Sequence, residues 1–373
     1  MDVVTPRALN RAVLERQLLL RRADLGVTEA VERLLGLNAQ DPNPPYVALW
    51  SRLEPFAIGD LTAAIEDRSV VRSTLLRSTQ HLVTVADFRL LRPALAPLLR
   101  RVQRNAFGRR TEGVDLDALV AETRELLADG QVLTRPELGR RLAESRPDAD
   151  ANALGWTVQY LLPLVHPAPS GTWNSRGPTP CAAADWTGVD GQEATADDRR
   201  RLVRRYLAAF GPATAADARA WSGIGGLREV FADLRRELRV DADESGRVLF
   251  DLPDAPRPPA DVPAPVRFLP PFDAPLLAYA DRTRVMTPEV RRVVCEGAAV
   301  WATVLVDGTV AATWTVARPD GRDDDSVVLA VQPLRPLAPA DRAAVEAECD
   351  RLLAFTHPDA GRRDVRLLPV DHA

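Results

Sequence analysis

The sequence predicts an α+β chain of three tandem winged helix-turn-helix units followed by a C-terminal β-rich, barrel-like domain, a small barrel or a curved sheet. Three observations predict it. The order helix, helix, helix, short hairpin occurs three times, which is the order of a winged helix-turn-helix. A run of prolines, Pro253, Pro256, Pro258, Pro259, Pro263 and Pro265, then forms a stiff linker. Beyond it the apolar period changes from helical to alternating. The boundaries that follow are 1–112, 113–188 and 189–252 for the three units, 253–265 for the linker and 266–373 for the last domain.

Each element has a local reason. Thr5-Pro6 supplies an N-cap and a first-turn proline for a helix with Leu9 and Val13 on one face. Gly26 breaks the chain, and Thr28 caps a second helix through Leu34 and Leu35. Pro42, Pro44 and Pro45 interrupt, and a third helix runs from about Tyr46 to Leu53. A short helix near Asp60–Asp67 precedes a hairpin over 70–84, and a long Arg-rich helix spans about Ala86–Asn105. In the second unit, Leu116–Leu127 is helical, Asp129-Gly130 turns the chain, and Thr134-Arg-Pro-Glu137 is a capping box. A helix over about Ala151–Leu162 leads to a wing at 164–183, turning at Ser170-Gly171. The third unit has helices at about Asp197–Phe210, Thr214–Trp221 and Leu227–Leu234, then a hairpin around Glu244-Ser-Gly246. The last domain begins with the hairpin 300–316, which turns at Asp307-Gly308. A strand at Ser326–Val331, a helix at Ala340–Phe355 and a strand at Val365–Val370 complete it.

Composition narrows the chemistry. No apolar run approaches the ~18 residues of a membrane span. The first 22 residues lack the order of a secretory signal, so the expected location is the cytoplasm. Cys181, Cys295 and Cys349 form no CxxC unit, and His81, His166, His357 and His372 show no ligand spacing, so no metal is expected. Every basic residue is arginine. Without lysine there is no lysine Schiff base, so any cleavage of a glycosidic bond should be hydrolytic. The net charge is −4, yet residues 1–110 carry 17 Arg against 11 acids. A basic N-terminal face on an acidic body fits one-sided docking to a polyanion. An Arg-studded solvated helix is the alternative.

Polar residues cluster at Leu37-Asn38-Ala39-Gln40-Asp41-Pro42, ahead of the run Tyr46 to Trp50. On the residues alone, Asn38 reads as a helix C-cap that leads into the proline turn. His81 reads either as a hydrogen-bonded residue of a half-buried strand or as a contact to phosphate or lesion. Asp273 and Asp281 read as salt-bridge partners of Arg282 or Arg284, or as stabilisers of sugar cation character.

The cluster resembles the signature of the winged-helix crosslink-repair DNA glycosylases, the YcaQ/AlkZ family. Further segments look like that family: Arg72, Arg77, Thr79 and His81-Leu82-Val83; Trp221-Ser222-Gly223; Leu269-Pro-Pro-Phe-Asp273; and Tyr279-Ala-Asp-Arg282. There a Gln-x-Gln or Gln-x-Asp pair carries the chemistry; here the pair is Asn38-x-Gln40. The resemblance implies Gln40 as catalytic, Asn38 as a shorter substitute, and Asp41, His81, Asp273 and Asp281 in support. Arg72 and Arg77 read as DNA phosphate contacts, since an arginine fork matches phosphate geometry, with Thr79 beside them in the same hairpin, and Arg100, Arg101 and Arg104 read as DNA-backbone clamps or as a solvated face. No heptad or dimerisation helix is present in the sequence, so a monomer is expected, with no cofactor. The substrate would be duplex DNA with an alkylated purine of the N7-alkylguanine type, extending to bulky adducts or crosslinks, with genotoxin self-resistance as the setting. The alternative is a catalytically silent winged-helix DNA-binding protein or transcriptional regulator, which the Asn38 departure favours.

Overall fold

The computed structural model describes residues 2–189, 191, 193–318 and 325–370. The fold is mixed α+β, with groups of helices separated by small sheets. No helix among the described residues is long and apolar enough to cross a membrane.

Thr5 caps the helix Pro6–Arg16 by accepting from the Ala8 amide. The second helix is Val27–Leu34, with Gly26 rather than Thr28 at its N-cap. It ends on Leu35 in the left-handed conformation, followed by Gly36 at φ +95°. A Cβ at Gly36 would lie 2.7 Å from Val83 Cγ1. Glycine therefore lets the chain leave the helix and pair at once with a strand. That strand, Leu37–Asn38, pairs with Gln80–Thr84, which pairs with Val70–Thr74. The expected hairpin is present, extended by a two-residue third strand. Pro44–Trp50 and Ile58–Glu66 are helical, and the Arg-rich helix is Val85–Phe107.

The next helices are Leu116–Leu126, Arg135–Glu144 and Ala151–Leu161. Glu137 Oε2 accepts from the Thr134 amide at 2.7 Å, closing the capping box. The accompanying sheet is Leu133–Thr134, Pro180–Ala183 and Leu164–Val165. Helices Ala196–Phe210, Ala215–Ser222 and Leu227–Asp233 precede the hairpin Arg239–Asp243 and Val248–Asp251. Its other edge is taken by Val3–Val4, running parallel, so the N-terminus belongs to this third sheet.

The last sheet has five strands in the order Arg267–Leu269, Thr303–Val306, Thr309–Ala317, Ser326–Pro333 and Arg362–Leu367. Its end strands do not pair with one another, so of the two forms expected, among the described residues it is an open sheet and not a closed barrel. The helix Pro339–Thr356 explains why. It carries the chain back to a parallel pairing with Ser326–Pro333, and its Val345, Leu352 and Leu353 pack with Val304, Leu329 and Val331. A helix laid on one face buries the apolar side without closure.

One core joins the parts. It contains Val13, Val83 and Leu95, then Val165, then Tyr206 and Trp221, then Leu269 and Leu305. The Pro-rich segment lies along the first helix: Arg7 Nε donates to Ala260 O at 2.7 Å and Arg11 Nε to Val262 O at 2.6 Å. The buried Arg16 forks onto buried Asp251 at 2.7 and 2.8 Å.

Candidate active site

Asn38 sits across the sheet from His81, and His81 from Ser73. The Ala39 amide donates to Gln80 O at 2.8 Å, carrying the pairing one residue further. The chain then turns, with the Gln40 amide 3.3 Å from Asn38 Oδ1 in an Asx-type bond. Asn38 thus belongs to a strand and not to a helix C-cap. It is half-buried, while Gln40 and Asp41 are exposed.

Arg72 grips this turn from beneath. Its Nε and Nη2 donate to Ala39 O at 3.0 and 2.8 Å, and Nη2 also reaches Gln40 O at 3.2 Å. Its Nη1 donates to Ser170 Oγ at 2.8 Å. Burial lowers the Arg72 pKa to about 10, opposed by Asp41, and the group stays charged at neutral pH. Gly171 has φ +90°, and a Cβ there would lie 2.9 Å from Arg72 Cδ. The Ser170-Gly171 turn therefore reaches Arg72 because it carries no side chain.

His81 is buried, and its Nδ1 lies 3.1 Å from Thr79 O. A carbonyl only accepts, so Nδ1 bears the proton. Burial first, then nearby Arg77, pushes its pKa down to about 3, so the ring is neutral at pH 7. Arg77 donates through Nη1 to Trp221 O and ties the hairpin loop to the helix Ala215–Ser222. Thr79 Oγ1 bonds Leu76 O at 3.1 Å. Of the residues expected on DNA, Arg72, Arg77 and Thr79 thus form bonds within the protein. Arg100, Arg101 and Arg104 are exposed on the long helix, where Arg100 pairs with Glu193.

Asp273 lies behind the motif in a buried fork with Arg52, at 2.7 and 3.0 Å. Asp281 pairs with Arg247 and accepts from the Thr283 amide at 3.0 Å. The partners expected for these acids, Arg282 and Arg284, lie elsewhere. Arg282 reaches Cys295 Sγ at 3.1 Å. Arg284 donates to Pro212 O at 2.9 Å and covers the Tyr279 ring at 3.9 Å from its centroid. A one-turn helix, Ala274–Leu276, separates Asp273 from both arginines along the chain.

Gln17, Asn38, Arg52 and Asp273 line one small cavity, walled also by Pro44, Pro270 and Pro271. Asn38 Nδ2, Arg52 Nε and Gln17 Oε1 are buried with no partner among the described residues. Gln17 and Arg52 carry no local sequence signal; only their tertiary neighbours mark them. Pro44, Pro270 and Pro271 also wall a cleft of about 1020 Å³, lined by Trp173, Trp301 and Trp314. Among the described residues no cluster of His, Cys, Asp or Glu is grouped to hold a metal, and His372 lies outside them.

The family model for AlkZ-like DNA glycosylases matches residues 31–355, which takes in both the Asn38–Asp41 turn and the Asp273 fork. The chain belongs to the AlkZ-like DNA glycosylase family. It is a DNA glycosylase on that ground, and DNA is its substrate. Among solved structures it is similar to the DNA glycosylase AlkZ of Streptomyces sahachiroi, with a TM-score of 0.79 and 23% identity over 99% of this chain and 100% of that one. At that identity the likeness speaks for the fold. No curated protein matches the chain.

Proposed function

We propose that the chain is a monofunctional glycosylase that hydrolyses the N-glycosidic bond of alkylated purines of the N7-alkylguanine type in duplex DNA. Gln40 and Asn38 are its catalytic pair. The observation that carries this reading is the Arg72 grip on the carbonyls of Ala39 and Gln40, which holds an exposed amide side chain beside a half-buried one. Alkylation at N7 makes the purine a cation, so it departs neutral and needs no strong general acid. Water attacks C1′, the bond to the base breaks with its electron pair going to the purine, and the water's proton passes to solvent. A side-chain amide orients that water by accepting and donating, and it is no strong base. The enzyme is therefore restricted to lesions that are already activated.

In this reading Arg72 positions the motif, and Asp273 acts through Arg52 on the cavity beside Asn38. The three-stranded sheets are the wings of three helix-turn-helix units. Arg101 and Arg104 offer charge to phosphate. The large cleft next to the motif has space for bulky adducts or crosslinks, as genotoxin self-resistance would require. The working form is a cytoplasmic monomer.

Duplex DNA carrying N7-methylguanine tests the reading, with abasic sites quantified for the unaltered protein and for Gln40→Ala. Excision that disappears in the variant supports it. Retained binding without excision of either N7-methylguanine or a bulky N7 adduct would leave a silent DNA-binding protein instead.

A further inference from the structure

A groove of about 330 Å³ lies along the helix Pro288–Val294 and shares no lining residue with the cavity beside Asn38 or with the tryptophan cleft. Arg282, Arg291 and Arg292 line it against one acid, Asp281, an excess of +2. Arg291 and Arg292 are exposed, so the groove opens to solvent, and Arg282 is half-buried.

The fold brings these cations together. Cys295 follows Arg291 by one helical turn, its amide donating to Arg291 O at 2.8 Å, so the two share a face. Arg282 Nη1 reaches Cys295 Sγ at 3.1 Å, which brings Arg282 to that face. Burial lowers the Arg282 pKa; Cys295 opposes the shift, and the neighbouring charge of Arg291 adds to it. Burial and then the charge of Arg282 lower the Arg77 pKa to about 10. Arg77, Arg282 and Arg291 are thus a run of cations in which each repels the next. The run begins at the sheet of the motif, because Arg77 is in the loop between Val70–Thr74 and Gln80–Thr84, and the latter strand pairs with Leu37–Asn38.

No carboxylate answers this charge. Asp281 pairs with Arg247, and Glu289 lies 3.5 Å from Arg292, which leaves Arg282 and Arg291 without an acid partner among the described residues. The thiol that Arg282 reaches is a weak acceptor. Its other bond, from Nε to Tyr279 O, is 3.4 Å long. Like charges held together in this way disfavour one another, and an anion relieves them.

We propose that this groove holds one backbone phosphate of the DNA substrate, with Arg282 and Arg291 as its donors. Arginine's planar donors match phosphate oxygens. The contact fixes the duplex relative to the hairpin that carries the motif and reads no sequence. The proposal rests on DNA as the substrate and not on the choice of lesion.

Unmodified duplex is therefore the probe, titrated with the full chain over a range of salt so that glycosylase chemistry plays no part. Arg291→Gln should lower the slope of log K against log salt by about 1, as one lost phosphate contact requires, and Arg291→Lys should restore it. Arg342→Gln removes the same charge from an exposed arginine that pairs with Glu346 on the helix Pro339–Thr356, and it should leave the slope unaltered. Duplexes with a single neutral methylphosphonate linkage then locate the contact. At one linkage the neutral group should weaken the unaltered protein and make no difference to Arg291→Gln or to Arg282→Gln. The proposal is overturned if Arg291→Gln keeps the full slope, if Arg342→Gln lowers it as much, or if no linkage is silent in both variants. Inorganic phosphate, followed at constant ionic strength by the NMR signal of the Cys295 amide, tests the other source of the same chemistry. Saturation by phosphate with an unchanged duplex slope in Arg291→Gln would make the groove a small-anion site and would also overturn it.

Discussion

Replacing Arg72 with methionine separates two jobs that one side chain performs. The stem volume stays, and the donors to Ala39 O, Gln40 O and Ser170 Oγ are lost. Hydrogen bonds from a charged donor contribute about 1.5–3 kcal/mol each. Desolvating the guanidinium opposes them by several kcal/mol. The net loss of stability should be on the order of 2–3 kcal/mol, since Ala39 O is also left buried without these donors. The effect on activity should be larger. Without the grip, the hydrogen bonds left to the 39–41 turn among the described residues are that of the Ala39 amide and the 3.3 Å Asx bond. A displacement on the order of 1 Å costs ~100-fold in rate. Urea unfolding measures the first quantity. Single-turnover excision of N7-methylguanine, at a temperature where both proteins are folded, measures the second. Arg72→Lys keeps the charge without the fork, so it should recover stability more than excision. Undiminished excision by a folded Arg72→Met protein would refute the positioning role.

Two further outcomes follow from charge. His81 and His166 have folded pKa values lowered to about 3, below their ordinary value of about 6.5. Below pH 6.5 the unfolded chain then binds more protons than the fold, so stability is complete above that pH and is lost as pH falls toward 3, by up to about 1.4 kcal/mol per unit for each histidine. Urea midpoints at pH 7 and pH 5 should reveal the loss, and His81→Gln should reduce it; an unchanged pH slope in that variant would contradict the burial argument. Arg101→Gln and Arg104→Gln should each reduce the slope of log K against log salt for duplex DNA by about 1, as one lost phosphate contact requires. A slope equal to that of the unaltered protein would remove these residues from the interface.

Where the chain carries its own local chemistry, the sequence was a good guide. The Thr134–Glu137 capping box, the 70–84 hairpin and the Asp307-Gly308 turn all occur where their residues place them. Features that depend on distant partners were not legible. Leu37–Asn38 is a strand because Gln80–Thr84 offers it an edge, and two residues have no period to read. Val3–Val4 pairs with a hairpin more than two hundred residues away. Alternating strands gave the last sheet, but whether it closes depends on where the helix Pro339–Thr356 packs. The arginine partners of Asp273 and Asp281 were misassigned because proximity in sequence is a poor guide across a turn.

The same distinction bears on the one departure from the family's motif. Asn38 is shorter than glutamine by one methylene, roughly the 1.5 Å of a carbon–carbon bond. Its shortness has a use here. Asparagine closes an Asx bond with the amide two residues on, and Asn38 Oδ1 does so with Gln40. Its Oδ1 fixes the turn, while the residue walls the cavity it shares with Gln17 and Arg52, its Nδ2 buried without a partner among the described residues. A glutamine would reach further into that cavity and give up the local bond. The Arg52–Asp273 fork, which spans 221 positions of sequence, holds the opposite wall. A shorter amide that closes this local bond is thus compatible with the proposed reading, in which Asn38 and the exposed Gln40 act together on the attacking water.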